Sequence, residues 1–224
     1  MITSHDNAKL RLVRALRRKR ERDSTGLFAC EGEDLVDAAR AAGIEPVELL
    51  VAGDNVLPEL LAGVSTLAHP ARAVGVYRSV DLPRGVRQAT LGLWQVSDPG
   101  NVGTLIRTAD AFSAGIALSA GCADPLAPKA LRASAGAIFR VPLCGWDDAP
   151  GTRVALVARG GERLSDVDLT LPVTLLLGAE RDGLPDEIVR GSDAVATIEL
   201  LGAAESLNVA AAGAIALYEL SRPG

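Results

Sequence analysis

The sequence predicts an α/β protein in which a small N-terminal α/β unit precedes a larger domain built on a parallel β-sheet. Short, continuously apolar runs alternate with helical periods along most of the chain, and this alternation is typical of parallel strands covered by helices on both faces. A Pro/Gly pair in the segment Leu82-Pro83-Arg84-Gly85 separates two strand-like runs and indicates a hinge. We therefore expect one domain at residues 1–84 and a second at residues 85–224.

The first domain is expected to begin with a basic amphipathic helix over residues 7–22. Leu10, Val13 and Leu16 recur there at helical spacing. Gly43 ends the second helix of this domain. In chain order, the elements after the basic helix are a strand at 26–32, a helix at 33–42, a strand at 47–51, a short helix at 58–61 and a strand at 75–80.

The second domain is expected to alternate strands and helices in the same way. Its last helix is apolar on nearly every side, so it must be buried within the protein or against a second subunit. The predicted strands lie at 90–96, 115–118, 154–158, 173–177 and 194–199. The predicted helices lie at 102–112, 128–137, 185–190 and 206–220.

Composition excludes several classes of protein. The three cysteines form no C-x-x-C pair and the chain has two histidines, which argues against a disulfide framework, a zinc site and a Ser-His-Asp triad. The nucleotide-binding fingerprints G-x-x-x-x-G-K-[ST] and G-x-G-x-x-G are absent. The sequence shows no secretory leader and no apolar stretch of about 20 residues, so we expect a metal-free, cytoplasmic protein with no membrane contact.

Positive charge is concentrated near the N-terminus, although the formal net charge is -5. Between Lys9 and Arg22 lie eight basic residues and one acid. Such a patch can bind phosphates whatever the sign of the whole protein, because screening limits electrostatic interactions to about 10 Å. The alternative is a solvated helix face. The candidate RNA-binding residues are Arg11, Arg14, Arg18 and, farther along the chain, Arg132.

Three short segments of the second domain place glycines and small polar residues beside an apolar strand or at the start of a helix. At such positions the backbone can approach a ligand closely and unpaired N–H groups point outward. Because all three occur in one domain, they predict a composite ligand site. The segments are Asp98-Pro-Gly-Asn-Val-Gly-Thr-Leu-Ile-Arg-Thr-Ala109, Leu177-Gly-Ala-Glu-Arg-Asp-Gly-Leu-Pro185 and Leu201-Gly-Ala-Ala-Glu-Ser-Leu-Asn-Val209.

The polar residues of these segments also have ordinary structural interpretations. Asn101 is expected to cap the helix that follows it. Arg107 could be a surface arginine paired with Asp110, three residues further on. Glu180 could be a solvated loop acid, and the polar residues of Ser206-Leu-Asn208 could be plain N-cap residues.

Taken together, the three segments resemble the motifs of the SpoU (TrmH-type) RNA ribose methyltransferases of the SPOUT superfamily. They match as Asn101-x-Gly-x-x-x-Arg107-Thr-Ala-Asp, Leu-Gly178-Ala-Glu180-x-x-Gly-Leu-Pro and Ile198-Glu-Leu-x-Gly-x-x-x-Ser206-Leu-Asn208-Val. The resemblance covers about residues 88 to 220. Around Gly26-Leu-Phe-x-x-Glu31-Gly32 the chain also resembles the family's accessory RNA-binding domain, which has a ribosomal-protein-like α/β fold.

The resemblance implies a C-terminal SPOUT domain with a parallel sheet and a deep trefoil knot, an exception to the usual rule against knots. It implies S-adenosylmethionine as the cofactor and a homodimer formed through the knotted domain. The chain departs from the family pattern at Ser113, Glu199-Leu200 and Ala210, and Glu199 could change the rim of the cofactor pocket. By position, the cofactor-binding residues are Gly178, Ile198, Leu200 and Leu207.

The implied reaction transfers a methyl group from S-adenosylmethionine to a ribose 2′-hydroxyl of RNA. The resemblance assigns activation of that hydroxyl to Arg107. Because a guanidinium is a poor base, we expect Arg107 to clamp the adjacent phosphate and to stabilise the developing alkoxide. The residues expected to orient the ribose, the arginine and the loops are Asn101, Glu180, Ser206 and Asn208.

The accessory domain favours 23S ribosomal RNA as the substrate, by analogy within the family. The same architecture also serves tRNA ribose methyltransferases and rRNA methylases that confer antibiotic resistance. A non-catalytic ribosome-assembly factor would keep the fold and bind RNA without methylating it. In a small-molecule α/β enzyme the basic helix would be only a solvated face, and RNA binding would lack the steep salt dependence of phosphate contacts.

Overall fold

The N-terminal part of the chain folds around a small antiparallel sheet. A computed structural model describes residues 1–222. The strands of this sheet are β1 (Leu27–Glu31), β2 (Glu48–Val51) and β3 (Ala73–Arg78), in the order β1-β3-β2. The helices beside it are α1 (Ala8–Ala15), α2 (Lys19–Thr25), α3 (Glu33–Ala41) and α4 (Pro58–Ala62). The predicted small α/β unit is confirmed.

The single basic helix predicted over residues 7–22 is wrong. The segment forms two helices, α1 and α2, separated by a turn at residues 16–18. In a continuous helix, the backbone N–H groups of the next turn would satisfy the carbonyl groups of Leu16 and Arg17. Here these two carbonyl groups accept hydrogen bonds from the guanidinium of Arg22, at 2.7 and 2.9 Å.

A parallel sheet forms the second part of the molecule, as predicted. Its strands are β4 (Ala89–Leu93), β5 (Gly115–Leu118), β6 (Leu143–Gly145), β7 (Thr152–Leu156), β8 (Glu162–Arg163), β9 (Val173–Leu177) and β10 (Ala194–Thr197). They pair in the order β6-β5-β4-β9-β7-β10-β8, and every pair is parallel. The sequence did not predict β6 and β8, because strands of three and two residues leave no apolar run. The deep trefoil knot stays a prediction of the resemblance.

Four helices accompany this sheet: α5 (Pro99–Ala111), α6 (Pro128–Ser134), α7 (Asp186–Arg190) and α8 (Val209–Leu220). One side of α8 is buried, and Gly213 lets the helix approach Leu105 and Leu177 so closely that a Cβ atom would collide with them. The other side of α8 exposes apolar residues, with Ile215 40% and Tyr218 59% exposed. The helix was predicted to be buried within the protein or against a second subunit, and in the single chain only one of its sides is buried.

The two parts of the chain share one hydrophobic core. Phe28 and Tyr77 from the N-terminal sheet pack against Phe139 of the second part, with ring centroids 6.2 and 5.3 Å from that of Phe139. Gly136 lies so close to Ala38 that a Cβ atom would collide with it. The N-terminal part is therefore packed directly against the parallel-sheet domain.

Within residues 1–222, no helix is long and apolar enough to cross a membrane. In the same part of the chain, no cluster of three or more His, Cys, Asp or Glu is arranged to hold a metal ion. All three cysteines are free thiols.

The strand order brings the predicted segments together. β4, β9, β7 and β10 are consecutive neighbours, so their carboxyl ends lie at one edge of the sheet. The loops that leave this edge begin after Leu93, Leu177, Leu156 and Thr197. In open parallel sheets, ligands bind outside the carboxyl ends of the strands.

Candidate cofactor pocket and catalytic corner

A cavity of about 610 Å³ opens at this edge of the sheet. Its volume falls in the range of about 300–1,000 Å³ that is typical of small-molecule sites. The second and third predicted segments line the cavity, whereas the first segment does not. The lining residues are Leu156, Val157, Ala158, 177–184, Ile198, Leu200, 206–209 and Ala212.

The predicted cofactor-binding residues all lie on the wall of this cavity. Ile198, Leu200 and Leu207 supply apolar surface, and Leu156 adds more from the neighbouring loop. Gly178 lies at the base of the second segment. Their contact with a cofactor stays a prediction, but the cavity offers the apolar walls and the loop backbone that a nucleoside requires.

Gly178 is required for a reason that the sequence did not indicate. Ala179 and Gly183 exchange two backbone hydrogen bonds, of 3.1 and 3.0 Å, which fold the segment into a tight hairpin. A Cβ atom on Gly178 would collide with the backbone of Gly183 and Leu184. The glycine therefore permits the hairpin to close, in addition to any close approach of a ligand.

Glu180 holds the first and second segments together. One carboxylate oxygen, Oε1, accepts hydrogen bonds from Nδ2 of Asn101 at 3.0 Å and from the backbone N–H of Asp98 at 3.1 Å. The other, Oε2, accepts from the backbone N–H and the hydroxyl of Ser97, at 3.1 and 3.2 Å. The interpretation of Glu180 as a merely solvated loop acid is therefore wrong.

These contacts change the acidity of Glu180. Burial acts to raise its pKa, but the hydrogen bonds from the Asn101 side chain and from the backbone of Asp98, Glu180 and Ser97 outweigh burial. They lower the pKa from its ordinary 4.5 to about 2. The side chain is therefore a carboxylate across the physiological pH range, placed close to the N-terminus of α5, where negative charge is favourable.

Two helix N-termini meet at this corner, which we call the catalytic corner and define as Ser97, Asp98, Asn101, Glu180 and Asn208. Asp98, not Asn101, caps α5: its Oδ1 accepts from the backbone N–H groups of residues 100 and 101, at 2.6 and 3.1 Å. Asn208 caps α8, with Oδ1 accepting from the N–H of residue 210 at 2.9 Å. The Nδ2 of Asn208 donates to Oδ1 of Asn101 at 3.2 Å. Each asparagine thus has a structural contact and also links two of the predicted segments.

Ser206 and Arg107 lie outside this hydrogen-bond network. Ser206 is exposed and lines the cavity before α8 begins. Arg107 is exposed on α5 and, within residues 1–222, makes no side-chain hydrogen bond or ion pair. Asp110 forms an ion pair with Arg140 at 2.6 Å. The alternative interpretation, in which Asp110 pairs with Arg107, is therefore wrong. Arg107 is therefore available to a group outside the described chain.

The candidate RNA-binding residues lie on both parts of the molecule. Arg11 and Arg18 are exposed, and Arg18 lies 3.9 Å from Glu21. Arg14 is half-buried and donates to the carbonyl of His5 at 3.0 Å. Arg132 projects from α6 across the junction and donates to the Thr66 hydroxyl at 3.0 Å. The structure thus brings Arg132 to the N-terminal part.

Two ion pairs stand at the rim of the cavity. Glu199, which departs from the family pattern, pairs with Arg163 at 2.7 Å. Glu205 pairs with Arg159 at 3.3 Å. Both pairs are well exposed, so each contributes little to stability, but both join the segment after β7 to the segment that precedes α8.

Three residues of this region were not predicted from the sequence. Ser97 and Asp98 hold Glu180, and Lys129 binds the second oxygen of Asp98 at 2.7 Å. The signal for Asp98 was present, because an acidic residue followed by Pro99 is a typical helix start. Lys129 could not be found in the same way, since its partner is 31 residues distant in the chain.

Comparisons with known proteins agree with this arrangement. The model of the SpoU rRNA Methylase family matches residues 88–218, and the model of the MRM3-like substrate binding domain matches residues 7–80. The chain is 31% identical to the 23S rRNA (guanosine(2553)-2'-O)-methyltransferase RlmP of Bacillus subtilis, over 98% of this chain and 98% of that protein.

Two solved structures are similar along nearly the whole chain. An AdoMet-bound rRNA methyltransferase from Sinorhizobium meliloti has a TM-score of 0.85 and 32% identity, covering 98% of this chain and 96% of that chain. The SpoU methyltransferase AviRb from Streptomyces viridochromogenes, in complex with AdoMet, has a TM-score of 0.83 and 26% identity, covering 96% of this chain and 97% of that chain. The chain belongs to the SpoU rRNA methylase family.

Proposed function

We propose that this protein is an S-adenosylmethionine-dependent methyltransferase that modifies a ribose 2′-hydroxyl of 23S rRNA. The observation that carries the proposal is the meeting of three family motifs at the carboxyl edge of the sheet. Two of them line one cavity, and Asn101 joins the first to both of the others. The relative RlmP, matched over its full length, is named for the same reaction.

The cavity suits the adenosine portion of S-adenosylmethionine. Ile198, Leu200 and Leu207 would contact the apolar faces of the base, and the folded backbone after Gly178 would offer hydrogen-bonding groups. When bound, S-adenosylmethionine supplies an electrophilic methyl group on a positively charged sulfonium. The residues of the chain would then hold the ribose hydroxyl in line with that methyl group.

We assign the acceptor side of the reaction to Arg107 and to the catalytic corner. Arg107 is exposed and has no partner within residues 1–222, so its guanidinium can bind the phosphate next to the target ribose and stabilise the developing alkoxide. The hydrogen bonds among Asn101, Glu180 and Asn208 would hold the two helix N-termini in a fixed position beside the cavity. Ser206 would contact the substrate at the cavity wall.

RNA binding is assigned to the N-terminal domain, with the boundary placed between residues 84 and 85. The small sheet ends at Arg78 and the parallel sheet begins at Ala89, which supports that boundary. Exposed Arg11 and Arg18, together with Arg14 and Arg132, would bind RNA phosphates. A protein that modifies ribosomal RNA is expected to work in the cytoplasm.

We also propose that the protein is a homodimer through the methyltransferase domain. The exposed apolar side chains of Ile215 and Tyr218 on α8 support this assignment, because such a stripe is usually covered by a partner.

The proposed activity is tested by incubating the protein with tritiated S-adenosylmethionine and transcribed 23S rRNA or tRNA, followed by nucleoside mass spectrometry. We expect a 2′-O-methylated nucleoside from 23S rRNA and a strong loss of product with Arg107→Ala. A base-methylated product would contradict the proposal, and methylation of tRNA alone would move the assignment to tRNA. Binding of S-adenosylmethionine without transfer to either RNA would favour a non-catalytic assembly factor.

A further inference from the structure

A buried ion pair joins the N-terminal domain to the methyltransferase domain. Arg22 of α2 is 5% exposed, and Asp124, on the loop between β5 and α6, is 14% exposed. The Nη2 and Nε atoms of Arg22 lie 2.6 and 3.1 Å from Oδ2 of Asp124. Arg22 belongs to the basic segment of the N-terminus, yet its burial removes it from the surface that RNA could reach.

Both charged groups have further contacts that fix them in place. The remaining guanidinium nitrogen of Arg22, Nη1, donates to the carbonyl groups of Leu16 and Arg17 in the turn between α1 and α2. The second oxygen of Asp124 accepts from the backbone N–H of Leu126 at 2.8 Å. Arg22 therefore binds both the turn at residues 16–18 and the loop that leads into α6.

The Asp124 loop is in turn hydrogen-bonded to the catalytic corner. The backbone N–H of Ala123 donates to the carbonyl of Val96 at 2.8 Å, and the thiol of Cys122 donates to the carbonyl of Leu93 at 3.1 Å. Val96 directly precedes Ser97 and Asp98, whose backbone N–H groups bind Glu180. A short path of hydrogen bonds thus connects Arg22 with the segment that carries the site.

We propose that Arg22 is a positioning residue, which sets the distance and orientation between the turn at residues 16–18 and the catalytic corner. The inference rests on the proposed function. Stability alone does not require this ion pair, because apolar replacements of buried pairs are often neutral, and Phe28, Tyr77 and Phe139 already pack across the junction. The four hydrogen bonds of the guanidinium instead define one relative orientation.

The test compares single and double variants of the pair with a control. Arg22→Gln and Asp124→Asn each leave one buried charge without its partner. The double variant Arg22→Met with Asp124→Leu leaves no uncompensated charge, so it should regain thermal stability that the single variants lose. The matched control is Arg190→Gln, since Arg190 is exposed on α7, has no side-chain partner within residues 1–222 and lies outside both the basic segment and the cavity lining.

We expect all three variants of the pair to raise KM for 23S rRNA by about tenfold, because small misplacements of a bound substrate are costly. The Kd for S-adenosylmethionine should stay within about twofold, since the cofactor cavity does not include the pair. Arg190→Gln should behave as wild type. A stable double variant with wild-type KM would overturn the proposal, because the pair would then have only a structural role.

Hydrogen-exchange mass spectrometry gives a second measurement that does not depend on methyl transfer. In Arg22→Gln, the backbone amides of the turn at residues 16–18 and of residues 122–127 should exchange faster, because the guanidinium no longer holds them, while the aromatic contacts across the junction remain. If the wild-type protein methylates no RNA, the proposed function fails while this comparison still stands. Identical exchange of these two segments in Arg22→Gln and wild type would contradict the positioning role.

Discussion

The carboxylate of Glu180 accepts hydrogen bonds from three other residues of the catalytic corner. Glu180→Gln should lower the free energy of unfolding. The carboxylate accepts hydrogen bonds from Ser97, Asp98 and Asn101, whereas the N–H₂ group of the new amide would face these N–H donors. We expect a loss of about 1 kcal/mol in the free energy of unfolding, at the low end for bonds to a charged group because solvent screens this exposed side chain. Urea denaturation at pH 7 measures the difference.

The same substitution has a defined pH dependence. Because folding lowers the pKa of Glu180 from 4.5 to about 2, the stabilising effect is complete above pH 4.5 and is lost as pH falls toward 2. The difference between wild type and Glu180→Gln should therefore be constant at neutral pH and shrink in acid. A difference that does not change between pH 7 and pH 2.5 would show that the charge of Glu180 is unimportant.

Tyr77 places a hydroxyl group in the shared core without a partner. It is fully buried, its oxygen has no hydrogen-bond partner in the described chain, and burial raises its pKa to about 12. Tyr77→Phe should raise the free energy of unfolding by about 1 kcal/mol, because it removes an unsatisfied polar atom and keeps the ring contacts. Destabilisation by Tyr77→Phe would reveal a hydrogen bond to the hydroxyl.

The contact between α5 and α6 depends on one glycine. A Cβ atom on Gly103 would collide with the carbonyl oxygen of Ala130 and lie 2.7 Å from the Cβ of Ala133. Gly103→Ala should therefore cost about 1–3 kcal/mol, since a backbone atom of α6 would have to move. Thermal unfolding measures this loss. Gly63→Ala is the control: its Cβ atom would be 3.5 Å from the nearest atom, and stability should stay equal or rise slightly.

At the level of elements, the sequence predicted what local patterns determine and missed what distant contacts determine. The five longer strands of the parallel sheet follow from apolar runs, and the last helix from its apolar composition. The break between α1 and α2 depends on Arg22, whose partner Asp124 is 102 residues away. The hydrogen bonds of Glu180 with residues 97–101 span about 80 residues and are equally invisible to a local pattern.

For the candidate site, the sequence predicted which residues meet at the cavity better than it predicted their individual contacts. Four cofactor-binding candidates lie on one cavity wall, because the motif spacing follows the ends of neighbouring strands. The capping role was assigned to Asn101 although Asp98 provides it, since both residue types cap helices and only the geometry decides between them. The partner of Asp110 was also wrong, because Arg140 reaches it from another part of the fold.

The assembly of the whole molecule is tested at the exposed side of α8. Ile215→Glu should convert the proposed homodimer into a monomer, because a charge would replace an apolar contact at the interface. Multi-angle light scattering after size-exclusion chromatography measures the mass of the assembly. Val80→Glu is a matched control on the N-terminal domain, where Val80 is 66% exposed. A wild-type monomer, or a dimeric Ile215→Glu variant, would exclude this interface.

Calorimetric titration with S-adenosylmethionine tests the cofactor cavity most directly, with wild type compared with Arg107→Ala and Gly178→Ala. We expect a Kd on the order of micromolar for both wild type and Arg107→Ala, because Arg107 does not line the cavity. Gly178→Ala should bind much more weakly, because its Cβ atom prevents the hairpin at residues 179–183 from closing. Absence of binding by folded wild-type protein would contradict the assignment of this cavity and, with it, the methyltransferase function.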